Sequence, residues 1–123
     1  MRSYYSIWRR FCVTQFFVML AVYIGFGIAK NPAASIGSYN DLWMHFSGYL
    51  VAGISIGLAF GNRSAIWRFS VLFLFSTAIE CVQYTLPWRS FELRDIAANS
   101  AGILVGLLLW WLWGWVVRHL ARE

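Results

Sequence analysis

The chain has 123 residues, of which 60% are hydrophobic, 20% aromatic and only 12% charged, and its mean hydropathy is +0.60. A water-soluble chain of this length cannot bury so much apolar surface, so the composition excludes an ordinary soluble domain. The formal net charge is +5, but the basic residues are scattered at the edges of apolar runs, which argues against a nucleic-acid-binding surface. The composition therefore predicts an integral membrane protein.

Four apolar runs are long enough to cross the bilayer core as helices, which takes about 20 residues each. The runs are continuously apolar rather than alternating, and this pattern favours helices over the strands of a barrel. We expect one domain over residues 1–123, all-α, in which four transmembrane helices form a bundle. The predicted spans are 11–29, 42–61, 66–86 and 96–117.

The first run has to be weighed against a cleaved signal peptide that would end near Ser35. Its apolar stretch is longer than the roughly 7 to 15 residues that are typical of a signal peptide. It also contains Gln15 and several large aromatic residues. An uncleaved first helix is therefore favoured.

The distribution of basic residues indicates the orientation in the membrane. One side holds most of them: Arg2, Arg9, Arg10, Arg63, Arg68, Arg118 and Arg122. The other side holds fewer, and acidic residues accompany them: Lys30, Arg89 and Arg94 with Asp41, Glu92 and Asp95. Short loops rich in arginine and lysine stay in the cytoplasm. We therefore predict that both termini are cytoplasmic and that the protein lies in the bacterial inner membrane.

Polar and small residues recur at helical spacing, so each of the last three predicted helices has a polar face. In helix 2 this face holds Asp41, His45, Gly48, Tyr49, Ala52 and Ser55. In helix 3 it holds Ser76, Thr77, Glu80, Gln83 and Tyr84. In helix 4 it holds Asp95, Ala98, Asn99, Gly102 and Gly106. The last two form a G-x-x-x-G pair, which predicts close helix packing.

The three polar faces are expected to meet at the outer end of the bundle. Helix 3 carries Glu80 near its outer end, and helices 2 and 4 begin at that end with their polar residues in the first turns. The connection above this region contains Arg89 and Arg94. A carboxyl group at the depth of Glu80 is expected either to pair with one of these arginines or to be neutral.

Two segments, DLWMHFSGYL and ECVQYTLPWRSFELRDIAANSAGILVG, resemble the VanZ-like family of small bacterial membrane proteins. The matching positions are Asp41, His45, Phe46, Tyr49, Glu80, Gln83, Arg89, Asp95, Asn99, Gly102 and Gly106. One departure is Leu42, where many relatives carry lysine. The family is named for a protein associated with resistance to teicoplanin. The resemblance therefore implies a role in glycopeptide resistance or in the metabolism of envelope polysaccharide or lipid.

Three functions are compatible with these outer polar residues. The first is structural, in which an interhelical hydrogen-bond network only fixes the bundle. The second is a site for an anionic envelope molecule, such as a polyprenyl phosphate, a phospholipid head group or an amphiphilic glycopeptide. Its ligand-binding residues would be Arg89, Arg94, Asp95, Asn99, Gln83 and Tyr49. The third is a membrane enzyme, a phosphate-lipid hydrolase or transferase, with His45, Glu80 and Asp41 as catalytic candidates.

We interpret the chain as a protein that binds or acts on such an envelope molecule. Asp41, His45, Glu80 and Asp95 could together hold a metal. The sequence contains no H-E-x-x-H motif and no paired-cysteine spacing to support this alternative, so we expect neither a metal nor another cofactor. The expected partner is a membrane lipid or a lipid-linked envelope precursor, and no nucleic acid. A homo-oligomer or a membrane-protein partner is left open.

Overall fold

The computed structural model describes residues 2–30 and 40–122, and these ranges form four α-helices. The helices are α1 (Arg2–Ile28), α2 (Asp41–Ala59), α3 (Ala65–Tyr84) and α4 (Leu93–Leu120). All four are long enough and apolar enough to cross a membrane. The architecture is therefore all-helical, as predicted for a multi-pass membrane protein. The connection over 31–39, which contains Ser35 and Ser38, lies outside the described residues.

Side-chain caps mark the starts of α2 and α3. The side chain of Asn40 accepts a hydrogen bond from the backbone N–H of Leu42 at 3.0 Å. The Ser64 hydroxyl does the same for the backbone N–H of Trp67 at 3.1 Å. Such caps satisfy N–H groups that have no partner inside the helix. The helix α1 begins before its predicted span and α4 extends beyond its span at both ends. Hydropathy marks the membrane core, whereas the helices continue into the more polar residues that flank it.

The helix α2 is the central one and packs against each of the other three. Its contact with α4 is the most extensive of the helix pairs in the described ranges. Because α2 contacts the other three helices, many residues in its second half are buried. Its buried residues are Tyr49, Ala52, Gly53, Ser55, Ile56, Gly57 and Ala59.

Glycines bring the backbones of α2 and α4 into direct contact, and we call Gly53, Gly102 and Gly106 the glycine seam. A β-carbon built on Gly102 would clash with the backbone of Phe46, and one on Gly106 would clash with the backbone of Leu50. A β-carbon on Gly53 would lie 3.0 Å from the Cα atom of Gly106. Small residues allow membrane helices to approach this closely. The seam therefore fixes how the first turns of α2 and α4 face each other.

Side-chain hydrogen bonds attach α1 to the rest of the bundle. In lipid there is no hydrophobic driving force between helices, so such interhelical hydrogen bonds contribute directly to helix association. Two of them lie near the end of α1 that adjoins the start of α2. The bonds run from Ser55 to Gln15, from Tyr23 to the Gly48 carbonyl and from Gln83 to the Gly27 carbonyl.

Candidate ligand-binding site

Five polar side chains from three helices meet at one end of the bundle. We call them the polar cluster: Asp41 and His45 from α2, Glu80 from α3, and Asp95 and Asn99 from α4. Glu80, Asp95 and Asn99 are buried, with 1%, 5% and 1% of their surfaces exposed. The side chain of Asp41, by contrast, is 71% exposed. The cluster therefore runs from an exposed rim into the interior of the bundle.

His45 lies at the centre of the polar cluster. Its Nδ1 atom is 2.9 Å from Oδ1 of Asn99 and 3.8 Å from Oε1 of Glu80. Its Nε2 atom is 3.9 Å from Oδ1 of Asp41 and 3.8 Å from Oδ2 of Asp95. Because an amide oxygen can only accept, Nδ1 donates to Asn99. Side chains from α2, α3 and α4 thus orient the imidazole ring.

Glu80 is a buried carboxylate with one unsatisfied oxygen. Its Oε1 atom faces His45, but Oε2 has no hydrogen-bond partner within the described residues. Neither Arg89 nor Arg94 forms an ion pair with Glu80 in the part of the chain that the structure describes. Of the two expectations for Glu80, a pair with an arginine or a neutral carboxyl group, the arginine pair is absent from the described residues, and the imidazole of His45 is the nearby group instead. Buried carboxylate oxygens normally have partners, so Oε2 of Glu80 requires an explanation.

A cavity of about 590 Å³ lies beside the polar cluster, among residues of all four helices and of the connection before α4. Its polar lining includes Asp41, His45, Glu80, Gln83, Arg89 and Asn99. Its apolar lining includes Val22, Phe26, Met44 and Ile79. Cavities of a few hundred Å³ with a mostly apolar lining and a few converging polar groups are typical ligand sites. The lining of this cavity suits an amphiphile.

The two arginines that the sequence placed together do not share a location, since Arg89 lies in the connection before α4 and Arg94 in the first turn of α4. Arg89 lines the cavity. Arg94 instead donates to Oε2 of Glu92 at 2.6 Å, and its side chain is 74% exposed. We expected both arginines above the site, and the structure brings only Arg89 to the cavity. A carboxylate two residues earlier in the chain accounts for the position of the Arg94 guanidinium.

The remaining predicted site residues have separate surroundings. Gln83 lines the cavity and donates to the Gly27 carbonyl at 3.0 Å. Tyr49 also lines it and packs edge-on against Tyr23, with ring centroids 5.7 Å apart. Asp95 contacts His45 but is not among the described residues that line the cavity. The polar cluster and the cavity therefore overlap without coinciding.

Sequence reasoning missed Tyr23, which lines the cavity and donates its hydroxyl to the Gly48 carbonyl. The first helix had been interpreted as an apolar run, and tyrosine counts as apolar in such a pattern. A signal was nevertheless present, because Gln15 and Tyr23 are eight residues apart and so lie on one side of the helix. Both side chains bond to α2.

Three groups in the polar cluster have the spacing of metal ligands. One donor atom from each of Asp41, His45 and Asp95 lies within 4.8 Å of the other two. Imidazole and carboxylate donors together suit divalent ions such as Zn²⁺ or Mn²⁺. The metal alternative considered from the sequence included these three residues and Glu80, but no local motif supported it because the donors come from different helices.

The fold and the site together define a class of protein: a small membrane protein of four helices with a polar cavity at one end of the bundle. A family model described as VanZ/LLP1 matches residues 16–114. The chain belongs to the VanZ/LLP1 family, and this confirms the resemblance found in its motifs. Neither the comparison with curated proteins nor that with solved structures gives a match. The matched range contains the whole polar cluster, Arg89 and the glycine seam.

Proposed function

We propose that the protein binds a phosphate-bearing lipid of the bacterial cell envelope, with the head group in the cavity. The observation that carries this proposal is the lining of the cavity, where apolar side chains such as Phe26 and Ile79 adjoin Arg89 and the polar cluster. A lipid has the same division between an acyl chain and a charged head group. The cavity therefore matches an amphiphile better than a fully polar solute.

Arg89 is the residue that we assign to the phosphate. It lines the cavity, whereas Arg94 is already engaged by Glu92. The planar guanidinium group matches the geometry of phosphate oxygens and forms strong, charge-assisted hydrogen bonds with them. We assign the site to the outer face of the inner membrane, because the basic residues cluster at the opposite end of the bundle. The function is thus the handling of an envelope lipid, in keeping with a link between this family and glycopeptide resistance.

A purely structural role explains less of the site. A network that only fixes helices is expected to satisfy its buried members, as the bond between His45 and Asn99 does. The unsatisfied oxygen of Glu80 and the cavity beside it have no role in such a network. Both features support a ligand.

The test is a comparison of lipids that differ only in phosphate. Binding of phosphatidic acid and of diacylglycerol with the same acyl chains is measured by native mass spectrometry on the detergent-solubilised protein. Polyprenyl phosphate and polyprenol form a second pair with a different tail. The wild type should favour each phosphate form by about tenfold or more, because a hydrogen bond to a charged group contributes on this scale.

The two arginines supply matched variants for this test. Arg89→Ala should remove the preference for phosphate, and Arg94→Ala should leave it unchanged, since Arg94 is paired with Glu92 outside the cavity. Equal binding of phosphate and alcohol forms by the wild type would refute the proposed function. Release of inorganic phosphate from phosphatidic acid, abolished in His45→Gln, would identify hydrolysis in addition to binding.

A further inference from the structure

Acidic residues outnumber basic ones around the cavity, which does not suit a ligand that carries only negative charge. Asp41 and Glu80 line the cavity, and Asp95 contacts the same imidazole as they do. Among the described lining residues, Arg89 is the one arginine. A head group with phosphate alone would offer these three carboxyl groups no hydrogen-bond donor and would be repelled by each one that is ionised. A head group that also carries a positive charge avoids this repulsion.

Glu80 marks the position for such a positive group. Its surface is 1% exposed, it lines the cavity, and its Oε2 atom has no hydrogen-bond partner within residues 2–30 and 40–122. A primary ammonium group carries three N–H donors and forms short, charge-assisted hydrogen bonds with carboxylates. A ligand ammonium in the cavity would complete the hydrogen bonding that the protein leaves open, once a rotation of the buried carboxyl group brings Oε2 to the cavity wall.

We propose that the cavity recognises the head group of an aminophospholipid, with the phosphate at Arg89 and the protonated amine at Glu80. This inference rests on the proposed function and adds a second subsite to it. Asp41, at the exposed rim, adds attraction for the ammonium group. The ligand class is a diacyl lipid whose phosphodiester carries a primary amine on a short linker, such as phosphatidylethanolamine.

The experiment compares two lipids that differ only by the ammonium group. Phosphatidylethanolamine and phosphatidylethanol with identical acyl chains are titrated into the detergent-solubilised full chain in the presence of EDTA. The wild type should bind phosphatidylethanolamine about tenfold more tightly or better, as expected for a hydrogen bond between charged groups. In Glu80→Gln this ratio should fall to about one because phosphatidylethanolamine binds more weakly. A ratio that falls only because phosphatidylethanol binds more tightly would report relief of charge repulsion and would overturn the inference.

Glu92→Gln is the matched control, because it neutralises a carboxylate that pairs with Arg94 outside the cavity. It should keep the ratio of the wild type. A ratio near one in the wild type, or an unchanged ratio in Glu80→Gln, would overturn the inference. EDTA is present because a metal at Asp41, His45 and Asp95 would attract the phosphate of both lipids and repel the ammonium group.

The proposed function and this inference fail separately. Arg89→Ala should lower the affinity for both lipids to a similar degree. If Arg89→Ala binds both lipids as tightly as the wild type, phosphate binding at Arg89 is refuted, whereas the ammonium subsite is not. The comparison of the two lipids in the wild type requires no variant. It therefore decides the inference even where Glu80→Gln does not fold.

Discussion

At the residue scale, His45 and Glu80 have different roles: His45 helps to hold two helices together, whereas Glu80 is better explained by function. The Nδ1 atom of His45 is tied to Asn99, so the imidazole contributes to the contact between α2 and α4. The Oε2 atom of Glu80 is tied to nothing within the described residues, so its contribution to stability is small or unfavourable. A carboxyl group that is costly to bury and has one oxygen without a partner is best explained by function.

We predict that Glu80→Gln and His45→Gln abolish the envelope phenotype without unfolding the protein. Glutamine in place of Glu80 keeps the shape and removes a buried charge, so the free energy of unfolding should change by about 1 kcal/mol or less. Glutamine in place of His45 loses one interhelical bond, which contributes about 0.6 kcal/mol in a membrane. The measurements are lipoglycopeptide sensitivity of cells, expression level and melting temperature in detergent.

A variant with both substitutions shows which result would contradict this prediction. If cells with folded His45→Gln, Glu80→Gln protein keep the full phenotype, the polar cluster serves only to fix the bundle. A loss of both phenotype and melting temperature in Glu80→Gln alone would lead to the same conclusion.

Arg94 illustrates what residue spacing cannot predict. Its place in the connection predicted a position above the cavity, and the chain does run there, since Arg89 lines the site. The direction of a long, exposed side chain depends on its neighbours, and Glu92 lies close enough to capture the guanidinium group. The sequence contains both residues, but their pairing is decided by rotamers rather than by periodicity.

At the scale of elements, the glycine seam determines the geometry of the site. The bond between His45 and Asn99 joins the same two helices as the seam, one turn away from Gly102. A helix turns by about 100° per residue, so a slip of one residue between α2 and α4 would point Asn99 away from the imidazole. Close backbone packing thus holds two polar side chains in register.

Substitutions in the seam should be more damaging than those on the lipid-facing side. We predict that Gly102→Leu and Gly106→Leu each destabilise the protein by about 2 kcal/mol or more, because the new side chain meets the backbone of α2. Melting temperature in detergent is the measurement. Leu108→Ala, on a side chain that is 52% exposed, should have a smaller effect.

Gly25→Leu is the matched control, since a β-carbon at Gly25 in α1 meets nothing within 4 Å. It introduces the same residue into a membrane helix without a steric clash. Equal losses of stability for Gly25→Leu and Gly106→Leu would show that added bulk, rather than the seam, matters.

The elements themselves could be predicted from the sequence, but their pairing could be predicted only in part. Long apolar runs lead to helices in lipid because every backbone group must be satisfied internally, so four spans followed from hydropathy. The pair Gly102 and Gly106 predicted a close contact for α4. Its partner on α2 was missed, although Gly53 and Gly57 have the same spacing. The helix α2 has small residues on several sides, and spacing does not tell which side meets α4.

At the scale of the whole molecule, we predict that the connection containing Ser90 faces the outside of the cell. Ser90→Cys should react with an impermeant thiol reagent in intact cells, because Ser90 is exposed and lies at the end of the bundle that has few basic residues. The labelling is carried out in a Cys81→Ser background, since Cys81 is an exposed free thiol.

Asn62→Cys, in the exposed connection between α2 and α3, is the control and should remain unlabelled until the cells are opened. Asn62 is preferable to Ser64, whose hydroxyl caps α3. Labelling at position 62 but not at position 90 in intact cells would reverse the orientation. Ser38→Cys, in the connection outside the described residues, should behave like Ser90→Cys.

Because the chain is synthesised from its N-terminus, α2 reaches the membrane before α4, the helix with which it has its most extensive contact. The partner of the second helix is the fourth, and both the glycine seam and the Asn99 bond of His45 depend on it. A ribosome-bound chain with three helices therefore holds Asp41 and His45 in the bilayer without their α4 partners. Insertion of α4 is the step that completes the fold and the cavity together.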